Sequence, residues 1–399
     1  MSRLDGRRVL LGVGGGIAAY KAAELVRALR RAGAEVRVVM TASAEEFVQP
    51  LTFQALSGHR VGTDLFDPSF EEDIGHIELA RWAELVLVAP CTANLLARAR
   101  AGMADDLLTT ILLATTAPVL FCPAMNTQMW KHPAVQENIV VLERRPRSLV
   151  LHPDEGELAC RETGPGRLPD PDVVLATAER ALAGGQLRGK HVVVTAGPTR
   201  EFFDPVRFLS NPSSGKMGYS LAAAAWSAGA DVTLVSGPTS LPAPWGCRVV
   251  RVVSASDMRD AVLAERADVL IMAAAVADYT PVERSEHKRK KSDAPWDPAL
   301  TRTPDILSEL AQSPRRAPVV IGFAAETDDI IGNAVRKLES KRLDGIVANS
   351  VYGPTGAFGS DASTVTLIRR GGHRHEFGPH PKREVAEHII EWVASSDFQ

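Results

Sequence analysis

The sequence has few cysteines, no long apolar run and no excess of basic charge. Its four cysteines, Cys91, Cys122, Cys160 and Cys247, have no Cys-x-x-Cys spacing and no paired histidine framework, so neither a disulfide scaffold nor a zinc site is indicated. No stretch approaches the roughly 18 apolar residues of a membrane-spanning helix, and residues 1–8 lack the apolar core of a signal peptide. We therefore expect a cytoplasmic protein in a reducing compartment, with no membrane partner.

The charge balance excludes a further class of partner. The 399 residues include 45 Lys and Arg against 48 Asp and Glu, a formal net charge of −3. A surface that binds nucleic acid needs an excess of basic charge, so we expect small-molecule partners instead. This length and an apolar fraction of 45% are sufficient for two domains with separate cores.

One pattern of strand, glycine turn and helix occurs twice. Arg8–Gly16 (RVLLGVGGG) predicts a strand that enters a glycine turn, and an apolar helical pattern follows at Ile17–Ala32. In the second half, a short apolar strand at Val192–Thr195 leads through a Ser/Gly-rich segment into a helix at Met217–Gly229. Glycines and hydroxyls at a helix start let backbone N–H groups approach an anion, so we expect a phosphate or carboxylate at the second turn.

Strand and helix patterns alternate after both openings. Further strands are predicted at 32–41, 84–89, 118–122, 228–237, 248–253, 269–274, 319–323 and 345–348. Helical patterns in the second half are found at 256–265, 304–312, 327–341 and 382–394. This alternation predicts an α/β protein with two doubly wound parallel sheets, each Rossmann-like. A helix at 172–182 is followed by a short linker at 184–189. We therefore divide the chain near residue 188, into domains 1–188 and 189–399.

The motifs of the first half resemble those of the flavin-dependent cysteine decarboxylases. They are GGIAAYK from Gly15, GHIEL from Gly75, PAMN from Pro123, Ala159-Cys160 and GPGR from Gly164. Together with the second-half motifs, the whole chain is similar to the bifunctional phosphopantothenoylcysteine decarboxylase/phosphopantothenate-cysteine ligases of bacterial coenzyme A synthesis. The resemblance implies a flavin-dependent first domain. The residues implied to bind FMN are Gly15, Gly16, Thr41, Thr92, Asn94, Asp106 and Thr109.

The chemistry of decarboxylation explains three further residues. Loss of CO₂ from a C-terminal cysteine leaves a carbanion, which is delocalised if a flavin first oxidises the CH₂–SH group to a thioaldehyde; a hydride and a proton are returned later. The resemblance implies that His76 is the base or electrostatic partner at the thiol and carboxylate. Asn126 is implied to hold the carboxylate, and Cys160 to donate the final proton. The structural alternatives are a capping or core histidine, a turn asparagine and a buried cysteine.

Two positions depart from the family pattern. Gly14 stands where Ser or Thr is usual, which removes one hydroxyl donor to a flavin phosphate. Arg161 stands where glycine commonly follows the cysteine of the flap. The departures bear on FMN affinity and on closure of a loop whose Pro and Gly residues predict mobility.

In the second half, the resemblance implies a ligase in which CTP activates 4′-phosphopantothenate as an acyl cytidylate that cysteine attacks. Displacement at phosphorus needs positioning and charge neutralisation more than a protein nucleophile. Asn211 is implied to donate to the reacting carboxyl group, and Asp278 to bind Mg²⁺, although Asp278 could also be a cap or turn residue. The residues implied to contact CTP are Met272, Ala273, Ala274, Asp278, Thr303, Pro304, Asp305, Ile306, Phe323, Lys337 and Lys341; to these we add Lys288 from its setting in the sequence.

Lys288 begins a run of four basic residues, ten positions after Asp278. The run lies between two predicted strands that end at the same edge of the sheet, so a loop here can close over a triphosphate and neutralise its charge. We therefore predict a catalytic role for Lys288 in ligation. A solvated basic loop is the alternative interpretation.

Two other functions compete with this interpretation. A flavin or nicotinamide oxidoreductase is disfavoured because neither glycine turn has G-x-G-x-x-G spacing followed by an acidic ribose ligand. A nucleotide sensor without catalysis would use Asp278 and the second-half lysines equally well. The resemblance also implies a homo-oligomer, with trimeric flavin domains, sites between subunits, dimeric ligase domains and a dodecamer overall.

Overall fold

The computed structural model describes residues 4–66, 75–159, 162–183, 185–290, 296–352, 360–395 and 398. The chain divides into two compact units, Met1–Gly184 and Gly185–Gln399. Each unit has a largely parallel sheet with helices on both faces, which confirms the predicted fold class. The domain boundary at residue 188 stays a prediction.

The first unit contains a five-stranded parallel sheet of order β2-β1-β3-β4-β5 and a separate hairpin, β6-β7. The strands are β1 Arg8–Val13, β2 Glu35–Met40, β3 Leu85–Cys91, β4 Val119–Pro123, β5 Ser148–Val150, β6 Asp154–Glu157 and β7 Thr163–Arg167. The helices are α1 Lys21–Arg31, α2 Ala42–Glu45, α3 Pro50–Ser57, α4 His76–Trp82, α5 Ala93–Ala101, α6 Leu107–Ala114, α7 Thr127–Lys131, α8 Pro133–Glu143 and α9 Pro171–Leu182.

Alternate side chains of β1 pack on opposite faces of this sheet. Val9 and Leu11 join the buried cluster that includes α1 and α9, whereas Leu10 joins the cluster on the other face with α4, α5, α6 and α8. Helices thus cover both faces of the central strands, which explains their unbroken apolar character. Only the strand ends are left for polar residues.

The second unit contains an eight-stranded sheet of order β12-β11-β8-β13-β16-β17-β18-β19, antiparallel only from β17 onwards. Its strands are β8 His191–Ala196, β11 Asp231–Ser236, β12 Cys247–Arg251, β13 Val269–Met272, β16 Val319–Glu326, β17 Gly345–Ser350, β18 Ala362–Arg369 and β19 Arg374–Pro381. Two hairpins pair β9 Arg200–Phe202 with β10 Phe208–Ser210, and β14 Tyr279–Pro281 with β15 Leu300–Arg302. The helices are α10 Lys216–Ser227, α11 Ala255–Ala264, α12 Ile306–Gln312, α13 Ile330–Ser340 and α14 Lys382–Ala394.

Two helical layers cover the second sheet. Val192 and Val194 of β8 pack in the cluster that includes α10 and α14, whereas Val193 packs in the cluster with α11, α12 and α13. Helix α10 approaches β8 closely, since a Cβ added at Gly218 would lie 2.5 Å from the Cβ of Ala196. Within the part of the chain that the structure describes, none of the helices is both long and apolar enough to cross a bilayer.

Candidate active sites

The first unit has a cavity of about 880 Å³ where its strand order changes direction, between β1 and β3. Ligands of open parallel sheets bind at this point, beyond the carboxyl ends of the strands. Five of the residues predicted to bind FMN line the cavity, and they come from the turns after β1, β2 and β3: Gly15, Gly16, Thr41, Thr92 and Asn94. Residues far apart in the sequence are therefore brought together as expected.

The glycine turn after β1 approaches its neighbours closely. The N–H group of Gly14 donates to the carbonyl of Pro90 at 3.1 Å, and a Cβ added at Gly14 would lie 2.6 Å from that oxygen. Gly14 does not line the cavity, whereas Gly15 and Gly16 do. A side chain at position 14 would therefore require a local shift of the turn, and glycine fits this backbone without one.

Asp106 and Thr109 have a structural role at the start of α6. The carboxylate of Asp106 accepts from the N–H of Thr109 at 2.8 Å, and the Thr109 hydroxyl accepts from the N–H of Asp106 at 3.2 Å, which forms a capping box. Neither residue lines the cavity. Their neighbour Arg98 does, and its guanidinium donates to Asp106 at 2.8 Å and also contacts Asp105. Arg98 was not predicted, because an arginine in the last turn of a helix gives no functional signal in the sequence.

Asn126 lines the same cavity and caps α7. Its side-chain oxygen accepts from the N–H of Gln128 at 2.8 Å, and its amide NH₂ group donates to the carboxylate of Glu162 at 2.9 Å. His76 begins α4 and does not line this cavity. Cys160 lies outside the described residues, although Ala159 before it contributes to the cavity wall.

The second unit has a cavity of about 850 Å³ at the corresponding position. Its parallel strands have the order 3-2-1-4-5-6 in chain sequence, and the direction changes between β8 and β13. Every predicted ligase residue except Lys288 lines this cavity: Asn211, Met272, Ala273, Ala274, Asp278, Thr303, Pro304, Asp305, Ile306, Phe323, Lys337 and Lys341.

Side chains from elsewhere in the unit fix the segment after β13. Ala274 N–H donates to the hydroxyl of Thr195 at 3.1 Å, and Ala277 N–H donates to the hydroxyl of Thr199 at 3.0 Å. The Asn211 amide donates to the carbonyls of Ala275 and Val276, at 3.3 and 3.1 Å. Asn211 therefore holds the backbone of this segment, and its role toward a reacting carboxyl group stays a prediction.

Two predicted lysines lie on the side of the cavity formed by α12 and α13. Lys341 contacts the carboxylate of Asp305 and lies 2.9 Å from the hydroxyl of Ser308. Burial raises the pKa of Asp305, but the hydrogen bonds from Lys341 and Ser308 outweigh it and the pKa lies below its usual value. Lys337 donates to the carbonyl of Phe323 at 2.8 Å. Burial lowers the pKa of Lys337, although nearby carboxylates oppose that shift.

Asp278 is exposed at the cavity. Over the described ranges, no three His, Cys, Asp or Glu side chains are grouped as metal ligands. A Mg²⁺ ion at Asp278 would therefore depend on phosphate oxygens and water for its other ligands, as is usual for magnesium with nucleotides.

Lys288 is exposed and does not line the cavity. The next residue, Arg289, is held by the segment between β9 and β10. Its N–H donates to the buried carboxylate of Asp204 at 3.2 Å, and its carbonyl accepts from Arg207 at 3.1 Å. The first part of the basic run is therefore attached to that segment, while Lys291 lies outside the described residues.

Several cavity residues of the second unit were not predicted. They include two lysines and two buried polar residues: Lys216, Lys382, Asn349 and Ser363. Lys216 begins α10, one residue before the start of the predicted helix, and Lys382 begins α14 and the helix predicted there. Their convergence depends on the packing of α10 with α14, which the sequence pattern does not show.

Family models of known protein domains match both units of the chain. The family model of the Flavoprotein domain matches residues 1–182, and that of the DNA/pantothenate metabolism flavoprotein C-terminal domain matches residues 187–396. The chain thus combines a flavoprotein unit with a pantothenate-metabolism unit, in the order that the motifs predicted.

Individual relatives define the family. The chain is 49% identical over 402 residues to the coenzyme A biosynthesis bifunctional protein CoaBC of Bacillus subtilis, covering 99% of this chain and 98% of the relative. It is 47% identical over 377 residues to the protein of that name from Escherichia coli, covering 93% of each. A solved C-terminal domain of CoaBC is 41% identical, with a TM-score of 0.45, and the match covers 53% of this chain and 96% of that one. The chain therefore belongs to the family of bifunctional coenzyme A biosynthesis proteins.

Proposed function

We propose that this chain catalyses two consecutive steps of coenzyme A synthesis. The second unit ligates cysteine to 4′-phosphopantothenate at the expense of CTP, and the first unit decarboxylates the product to 4′-phosphopantetheine with FMN. The observation that supports this most strongly is the pair of cavities, each at the strand-order change of its own sheet and each lined by its own motif residues. Family membership over nearly the whole chain disfavours both the oxidoreductase and the sensor.

In the first unit, the turn at Gly15 and Gly16 lines the cavity and would hold the phosphate of FMN through backbone N–H groups. Bound FMN supplies the oxidation of the CH₂–SH group and the later return of a hydride. Arg98 adds positive charge to the cavity wall and is oriented by Asp106. The proposed role of Asn126 is supported by its present partner, because Glu162 offers the same chemical group as the substrate's carboxylate.

His76 does not fit a role at the cavity of its own chain. It lies outside the cavity of its own chain, at the start of α4. We infer that it acts at the site of a neighbouring subunit, which agrees with the trimeric flavin domains implied by the sequence. Cys160 would close over the same site and donate the final proton.

In the second unit, a carboxylate oxygen of phosphopantothenate attacks the α-phosphorus of CTP and pyrophosphate leaves. The amine of cysteine then attacks the acyl carbon and CMP leaves. Lys337 and Lys341 would neutralise the negative charge of the nucleotide, and Asp278 would hold a Mg²⁺ ion that supplies further positive charge to the phosphates. Asn211 shapes the segment against which the reacting carboxyl group lies.

Mass analysis of the products tests this proposal. The full-length protein is incubated with 4′-phosphopantothenate, cysteine, Mg²⁺ and each nucleoside triphosphate in turn. We expect a yellow protein that releases pyrophosphate and forms phosphopantothenoylcysteine with CTP, then CO₂ and 4′-phosphopantetheine. A colourless protein that binds nucleotide without turnover would instead identify a sensor, and net hydride transfer to a nicotinamide would identify an oxidoreductase.

A further inference from the structure

We propose that Lys216 and Lys382 form a second anion subsite in the cavity of the second unit, and that this subsite takes a phosphate dianion. This proposal rests on the proposed ligase function, because that function determines which substrate carries the bound phosphate. Neither lysine belongs to the predicted CTP contacts, and both line the cavity.

The subsite lies at the opposite side of the sheet from the other cavity lysines. Lys216 and Lys382 begin α10 and α14, which pack on one face. Lys337 and Lys341 belong to the region of α13, on the other face. The cavity extends over the carboxyl edge of the sheet between these two layers. The two proposed substrates, CTP and 4′-phosphopantothenate, both carry phosphate groups. Lysines on both sides of the cavity are therefore available to bind them.

The subsite is built from buried groups. Lys382 is only 5% exposed, although lysine is rarely so buried in proteins. Beside it in the cavity wall, Asn349 donates to the hydroxyl of Ser363 at 2.7 Å, and both of these residues are buried. A loosely solvated surface lysine would have no such surroundings.

The electrostatics favour an anion. Burial lowers the pKa of Lys382, the charge of Lys216 lowers it further, and Asp361 opposes the shift. Lys216 forms an ion pair with Asp361, whose side chain is 87% exposed. A phosphate dianion would interact with both ammonium groups, and it would lie near the positive ends of two helices that each exceed eleven residues.

Two phosphates of the proposed reaction have the required chemistry. One is the terminal part of the nucleotide, which leaves as pyrophosphate. The other is the phosphate ester of 4′-phosphopantothenate. Both present the same dianionic group. They differ in which substrate, CTP or 4′-phosphopantothenate, would lose affinity if the subsite were removed.

Calorimetric binding of inorganic phosphate and of pyrophosphate to the full-length protein tests the subsite without turnover. We expect Lys382→Gln to weaken binding roughly 10- to 100-fold, the loss associated with one hydrogen bond to a charged group. Lys382→Arg should recover part of this affinity. The matched control is Arg383→Gln, since Arg383 is the next residue, is exposed and pairs with Glu387. Unchanged binding in Lys382→Gln would overturn the proposal.

Asp361→Asn provides an independent variant in case Lys382→Gln does not fold. It removes an exposed carboxylate that contacts Lys216, so phosphate should bind more tightly than to the wild type. Equal or weaker binding would contradict the subsite.

Steady-state ligation then identifies the source of the phosphate. If the subsite binds the nucleotide, Lys382→Gln raises the KM for CTP and weakens inhibition by pyrophosphate. If it binds the phosphate ester, the variant has a higher KM for 4′-phosphopantothenate. It also loses the preference of the enzyme for 4′-phosphopantothenate over pantothenate. Unchanged KM values for both substrates, in an active enzyme, would reject the subsite. A different outcome is that the wild-type protein binds phosphate in a way that depends on Lys382 but does not ligate cysteine. That result would support the subsite and reject the ligase function.

Discussion

Substitution of Asn126 separates its two roles in the structure. Its oxygen caps α7 by accepting from the N–H of Gln128, and its NH₂ group donates to the carboxylate of Glu162. Asn126→Asp keeps the capping oxygen, because Asp and Asn are similarly good N-caps, but it replaces the amide donor with an acceptor. Asn126→Ala removes both.

The expected magnitudes differ for the two variants. Loss of the cap costs about 1 kcal/mol, which lowers the melting temperature of a unit of this size by roughly 2–4 °C. We therefore expect that decrease in Asn126→Ala and a smaller one in Asn126→Asp. Loss of a donor positioned for the substrate's carboxylate slows the reaction about 100-fold or more, equal to about 2.7 kcal/mol of transition-state stabilisation. Both variants should show this loss.

The assay is release of CO₂ from supplied phosphopantothenoylcysteine, with flavin absorbance as a check on FMN binding. Ligation by the second unit is the internal control and should be unchanged. Glu162→Gln is the matched variant, since it alters the present partner and leaves the donor intact, so decarboxylation should continue. Wild-type CO₂ release by Asn126→Asp would refute the proposed role of the amide.

Three further predictions concern residues of both units. Cys160→Ser should retain the oxidative step and accumulate an enethiol product, because a hydroxyl is a far weaker acid than a thiol; normal rates of the reduced product would remove Cys160 from the mechanism. Lys288→Gln should reduce ligation roughly 100-fold while decarboxylation of supplied substrate is unchanged, whereas wild-type ligation would leave the basic run as a solvated loop. Because the pKa of Lys337 is lowered by burial, its charge is lost at lower pH than that of an exposed lysine. CTP affinity should therefore fall as pH rises through that pKa, and Lys337→Arg, which stays charged, should move the fall to higher pH; identical titrations would contradict this.

Local patterns were sufficient to predict the long strands of both sheets and several helices, but not the short hairpins β6-β7, β9-β10 and β14-β15. The final helix was predicted at 382–394 and has those bounds. Small errors have identifiable causes. Helix α11 begins one residue before the predicted 256, because Ser254 forms a capping box with Asp257. Helix α13 begins three residues after the predicted 327, because β16 continues to Glu326 and Asp329 is the cap.

The strand ends of the two sites were predictable for a physical reason. A strand covered on both faces is apolar, so the first polar residues beyond it mark the edge of the sheet where ligands bind. Thr92 and Asn94 after β3 are examples, and both line the cavity. Residues whose position depends on helix packing, such as Lys382, carry no comparable signal. The same applies to Arg98, whose orientation is set by carboxylates after the end of its own helix.

In each cavity, a lining residue that is proposed to bind a substrate anion contacts a protein carboxylate. Glu162 accepts from Asn126 in the first unit, and Asp361 contacts Lys216 in the second. Both carboxylates belong to exposed residues, so the water around them keeps each contact weak. Such a contact can orient the donor without competing strongly with the substrate. When substrate binds, its anion replaces the protein carboxylate on the donor side chain. The donor therefore keeps an anionic partner throughout, and the cost of an unpaired polar group in a partly buried site is avoided. This argument requires that loss of either carboxylate leaves turnover intact and tightens anion binding.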